Sequence, residues 1–145
     1  MNSSNTIEVL NRLVVIHHRS LGSYLSYAAP AWHRDDQDAK QELERIVADQ
    51  QDIVDRIGET VVSNSGTVLY GSYPMDFTFY HDLSFEFLLK KLLEHQREDI
   101  VAIENCVGQL DGSPATARSL AQESLGMAKG HLESLEELKR SAVAE

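Results

Sequence analysis

The sequence predicts an all-α fold, a four-helix bundle with one long crossover between its second and third helices. Three observations predict it. Four long segments repeat their apolar residues with helical period, chemically explicit breaks separate them, and the middle break is much longer than the other two. A chain of 145 residues suits one such domain, so positions 1–145 are read as a single bundle.

The first helix is expected over residues 6–28. Asn5 or Ser4 can cap it, and Glu8 stands three residues beyond Asn5 as in a capping box. Leu10, Leu13, Val14, His17, Leu21, Tyr24 and Ala28 share one stripe, and Pro30 ends it. The second helix is expected over 36–62, opened by Asp35, Asp36 and Asp38 near the positive end of the helix dipole. Leu43, Ile46, Gln50, Ile53, Ile57 and Val61 face inward, and Ser63-Asn64-Ser65-Gly66 stops it. The third, over 84–110, turns Leu88, Leu92, Gln96, Ile100 and Ile103 inward before Asp111-Gly112 closes it. The fourth, over 114–140, has Ser113 as N-cap and Pro114 at the first helical position. Leu120, Ser124, Met127, Ala128, His131, Leu135 and Leu138 mark its buried side.

Helices of roughly 35 to 42 Å, each with one apolar stripe, must bury those stripes against one another. Short first and last connections make antiparallel hairpins. The crossover from Ser63 to Asp82 is long enough to run back along the bundle, so that helices two and three lie parallel. It is rich in Tyr and Phe, and Val68, Leu69, Tyr70, Phe77 and Phe79 are expected to pack on the bundle or on a second subunit. Gly22, Gly126 and Gly130 lie within helices, where glycine is costly, so close approach of a neighbouring helix or subunit is the expected compensation.

The net charge of −10 disfavours nucleic acid, which requires clustered Lys and Arg. No apolar run is long enough for a membrane span, and the N-terminus lacks the pattern of a secretory signal, so a cytoplasmic protein is expected. Cys106 is alone, which leaves no internal disulfide and no thiolate zinc site.

The informative residues interrupt the apolar stripes at mid-height. They are His17 on helix one, Asp49 and Gln50 on helix two, His95, Gln96 and Asp99 on helix three, and His131 on helix four. Burying such groups unpaired costs roughly 2 to 7 kcal/mol each, so they must bond one another and trapped water, or share a metal ion. Imidazole with carboxylate suits iron or zinc, which makes His17, Asp49, His95 and His131 the candidate metal ligands. His18, His33 and His81 are expected to be external or terminal.

In these stretches the chain resembles the ferritin-like superfamily, bacterioferritin-type proteins in particular. LNRLVVIHHRSLGSYLSYA is similar to the family's first helix, with His17 in the place of its glutamate ligand. IVADQQDIVDRI aligns with the family's Glu-x-x-His stretch, Ile46 replacing the glutamate and Asp49 the histidine. MAKGHLESLEEL keeps the histidine as His131 but has Ala128 at the bridging glutamate, and the third helix's glutamate falls near His95 or Gln96. The resemblance implies a ferritin-like bundle. Glu-x-x-His is absent, and with it the bridging carboxylates that hold two cations together, so a single ion is expected instead.

Three functions follow as expectations. The first is a metal-binding protein with a mononuclear His/Asp site holding iron or zinc. The second is a catalytically inert scaffold acting as an interaction or assembly module, and the third an iron-dependent oxidoreductase. A homodimer or larger homo-oligomer is the expected assembly.

Overall fold

The computed structural model describes residues 3–28, 37–80 and 83–144. Its elements in order are α1 (Ser3–His18), α2 (Leu21–Ala28), α3 (Gln37–Ser63), a 3₁₀ helix (Met75–Tyr80), α4 (Phe85–Gln109) and α5 (Ala115–Ala144). The fold is all-α, with no strand among the described residues. Pro30, His33, Asp35, Asp36, His81 and Asp82 lie outside them.

The first expected helix is two. The chain leaves helical bonding after Arg19, whose N–H still reaches Val15 O at 2.9 Å, and Ser20 starts α2 by accepting the Ser23 N–H on its side-chain oxygen at 3.1 Å. The same hydroxyl donates to Gln50 Oε1 on α3 at 3.1 Å, so a buried tertiary bond is gained where the helix is interrupted. The apolar stripe continues across the break through Leu21, Tyr24 and Leu25, all buried. Gly22 earns its position here, since a Cβ would lie 3.2 Å from Leu43 Cδ1.

Cross-helix bonds fix the directions. Arg45 bonds Ser134, Asp49 bonds His131, and Arg56 bonds Glu123, so α3 and α5 are antiparallel. Ser20 meets Gln50 while Gly66, just past α3, abuts Ile7, which makes α1 antiparallel to α3. Arg12 bonds Gln109, and Gly22 sits by Leu92, so α1 is antiparallel to α4 as well. Two helices both opposed to α1 run the same way, and the crossover therefore returns the chain along the bundle before α4 begins.

Helix α3 ends in the hydrogen-bond pattern that residues in a left-handed cap produce. Gly66 N–H reaches Val61 O and Ser65 N–H reaches Val62 O, each at 2.9 Å, with Ser65 at φ 66°. Two bonds to buried Asn11 tie the crossover to α1, its amide donating to Thr67 O and its oxygen accepting from Leu69 N–H, each at 3.0 Å. Gly71 has φ +67° and lies where a Cβ would come within 3.1 Å of Val15, so only glycine lets the strap lie this close.

The crossover divides rather than packing throughout. Phe77 is buried, Val68 packs beside the core, and Tyr73 and Tyr80 are half-buried. Leu69, Tyr70 and Phe79 are exposed instead, as is Met75. Packing one edge of a strap leaves the other edge in water. At Gly126 and Gly130 no other helix makes the approach, since among the described residues nothing beyond their own helix backbone and chain neighbours lies within 4 Å of where their Cβ atoms would be.

The apolar core falls into two clusters. One joins Leu10, Leu13, Val14, Ile53, Ile57, Ile103 and Leu110 with their neighbours, and the other joins Leu21, Leu25, Leu43, Ile46, Leu88, Leu93 and Leu135 with theirs. The polar layer lies between them.

Candidate functional site: a buried polar layer

The layer is set by where each helix places its side chain at mid-height. His17 ends α1 on the inner stripe and is buried, with Nε2 2.5 Å from Ser124 Oγ on α5. Burial, and secondarily the nearby charge His131 would carry, lowers the His17 pKa from 6.5 to about 4. This imidazole is neutral near pH 7, and one of its nitrogens is committed to the Ser124 hydroxyl.

His131 is buried on α5, and its Nε2 lies 2.9 Å from Asp49 Oδ2. Asp49 stands one position off the centre of the α3 stripe, and its side chain is 49% exposed. It reaches the layer from the rim, holding one imidazole nitrogen against a wet carboxyl group. His131 Nδ1 is buried with no hydrogen-bond partner among the described residues. The bond network assigns the proton to Nε2, since a proton on Nδ1 would be a buried donor without an acceptor. A lone pair is then left facing the interior.

Around these two histidines the layer is closed by amides and hydroxyls. Gln96 Nε2 donates to Ala128 O at 2.9 Å, and Gln50 accepts from Ser20. Both glutamines point inward, as their stripes require. Ser124 and Ser20 are the partners that sequence reasoning did not assign. Ser124 lay on the expected stripe, but nothing in its spacing marked it as the mate of His17.

His95 does not join the other three candidate ligands. Its ring stands edge-on to Phe77 at 5.5 Å and to Tyr80 at 6.4 Å, held by the crossover rather than by the bundle axis. Asp49 bonds His131 only through Nε2, His17 bonds Ser124, and so the expected set of four is drawn to separate partners. Among the described residues no three His, Cys, Asp or Glu side chains come together as a group able to hold a metal ion. His18 is half-exposed, 4.9 Å from the Tyr70 ring, outside the layer as expected.

Asp99 is the residue whose character the sequence hid. It lies one turn beyond His95 on α4, and burial, with Glu98 adding to it, raises its pKa from 3.8 to about 7. Cys106 is buried, and that burial also raises its thiol pKa, so it is a packing residue rather than a ready thiolate. No helix among the described residues is long and apolar enough to cross a membrane. Comparison with protein-family models, curated proteins and solved structures finds no match to this chain.

Proposed function

We propose that the chain is a ferritin-like bundle whose metal layer has been rebuilt around two imidazoles, and that it binds one transition-metal ion there. The observation carrying this reading is His131 Nδ1, a buried nitrogen without a partner among the described residues, in a layer that also holds neutral His17. Short, long, short connections with α3 parallel to α4 support the ferritin-like assignment.

The residues fit one ion better than two. His17 and His131 are the donors that this reading assigns. Asp49 acts behind His131, where a carboxyl group on the far ring nitrogen fixes the tautomer and raises the donor strength of the near one. Neutral nitrogen donors favour zinc over iron among the two expected metals. When bound, the ion supplies positive charge that satisfies the orphan lone pair. To take part, His17 must exchange its Ser124 bond for the metal.

Zinc and cobalt(II) titration of tag-free protein, followed by elemental analysis after desalting, tests this. About one ion per chain is expected, falling to background in His131→Leu and rising in affinity in Ser124→Ala, where His17 is released. Metal content far below one per chain after loading overturns it.

A second reading is an assembly module, and one observation favours it. On the strap Met75 is 85% exposed and Phe79 75%, and Tyr27 of α2, 80% exposed, stacks on the strap's Tyr73 at 6.3 Å. The stretch from Gly71 to Phe79 contains one charged side chain, Asp76, on a chain of net charge −10. Two copies that repel elsewhere meet most favourably through it. A dimer in sedimentation equilibrium, converted to monomer by Met75→Glu with Phe79→Glu, is the expected result. Identical sedimentation of parent and variant removes this reading.

A further inference from the structure

Beside the layer the structure contains a cleft of about 360 Å³, bounded by the α1–α2 break, the crossover and α4. That size is near the lower end of small-molecule sites, which run from roughly 300 to 1,000 Å³. Its polar wall carries Arg19, Asp76, His95 and Asp99, and its aromatic wall Phe77 and Tyr80. We propose that this cleft binds a small organic ammonium ion, its charge against Asp99 and Asp76 and its apolar body against Phe77 and the aliphatic floor.

The charge balance decides the ligand's sign. Among the lining residues Arg19 is the one cationic side chain, and its Nε–H turns to the crossover backbone. Its Nε donates to Tyr70 O at 3.2 Å and Gly71 O at 3.1 Å, and its Cζ lies 4.7 Å over the Tyr73 ring. Asp99 is not neutralised by it. Burial and Glu98 are what act on Asp99, and no hydrogen bond or cation among the described residues offsets them. An acid held in this state is stabilised by a ligand that brings a positive charge and an N–H donor to it. The rings of Phe77 and Tyr80 add a surface that also prefers cations. An anion would meet two carboxyl groups, with Arg19 as the one cation on the wall to offset them.

The geometry behind Asp99 strengthens the case. His95, Asp99, Ser20 and Leu21 also wall a smaller cavity of about 10 Å³ that reaches Gln50 and Gln96. That is about the room of one water, with polar groups to hold it. A ligand in the outer cleft can therefore pair with the carboxyl of Asp99 in front without filling the polar space behind it. The titratable and charged groups that face Asp99 or share the cleft are His95 and Glu98 on α4, Arg19 at the helix break, and Asp76 and Tyr80 on the 3₁₀ helix. The cleft does not use His17 or His131, so its test is independent of the metal reading.

Three probes of one shape separate charge from hydrophobicity: benzylammonium, benzyl alcohol and benzoate, titrated into metal-free protein by calorimetry and by ¹H–¹⁵N chemical-shift mapping. Benzylammonium is expected to bind with shifts at the α1–α2 break, residues 72–80 and 95–99, benzyl alcohol about tenfold more weakly, and benzoate without saturation. Asp99→Asn is expected to bring benzylammonium down to the level of the alcohol, and Asp99→Glu to restore part of the difference. Equal affinity for ammonium and alcohol, unchanged binding in Asp99→Asn, saturable benzoate binding, or no binding of any probe overturns the proposal.

Discussion

Asp99→Asn is expected to match the parent's stability at acid pH and to exceed it by about 1 to 4 kcal/mol above pH 7. The folded-state pKa of Asp99 is raised from 3.8 to about 7, so between those values the native state holds a proton that the unfolded chain has lost. Stability contributed by this group is fully present below 3.8, declines as pH rises, and is gone above about 7. Asparagine carries no charge to desolvate, and the difference between variant and parent should therefore open as pH rises through this window. His17 works in the opposite sense. Its folded pKa is lowered from 6.5 to about 4, so its contribution is complete above 6.5 and is lost as pH falls toward 4, by up to about 3 kcal/mol. The two windows overlap, and their slopes partly cancel in the parent. Urea melts of parent, Asp99→Asn and His17→Gln at several pH values would reveal this, the first variant growing more acid-sensitive and the second less. A constant offset between Asp99→Asn and the parent at all pH values would show that Asp99 is not held in this way.

The second large effect is a contrast within the layer. His131→Leu is expected to leave stability unchanged or raise it by about 1 to 2 kcal/mol, whereas Ser124→Ala is expected to lower it by about 1 to 3 kcal/mol. His131 has a buried nitrogen with nothing to bond, and its other partner, Asp49, is exposed enough to be rehydrated when released. Leucine removes that orphan from the layer. Ser124 is fully buried, and without its hydroxyl His17 Nε2 loses its bond in a dry place. Thermal melts of metal-free protein in parallel would separate them. A His131→Leu variant much less stable than its parent would mean that the imidazole is chiefly a structural member.

Much of this architecture was legible in the residues. Periodicity placed α3, α4 and α5 within a few residues of their observed ends, because a single apolar stripe has only one way to be buried. His17 and His131 stood on those stripes and are buried, as are Gln50 and Gln96. What escaped depended on side-chain reach and on chain without periodicity. The break before α2 was hidden because Leu21 and Tyr24 continue the stripe, while the Ser20 hydroxyl at the break bonds a residue thirty positions away. Asp49 was expected as a ligand, yet from the edge of its stripe it meets His131 at the rim. His95 was expected beside the other histidines, but the aromatic strap claims its ring, and nothing in the strap's composition shows which of its aromatics turn inward. Asp99 sat in the same layer without a distinguishing pattern, since burial on a cleft wall is a property of three elements together.

A core divided by polar side chains need not melt in one step. One half holds the start of α1 with the ends of α3 and α4; the other holds α2, the 3₁₀ helix and the far end of α5. Because the backbone already parts at Arg19, the latter half can loosen while the former keeps its register. The later part of the strap, from Tyr73 to Tyr80, and with it one wall of the cleft belong to that half, so an occupant of the cleft would tighten it without rebuilding the rest.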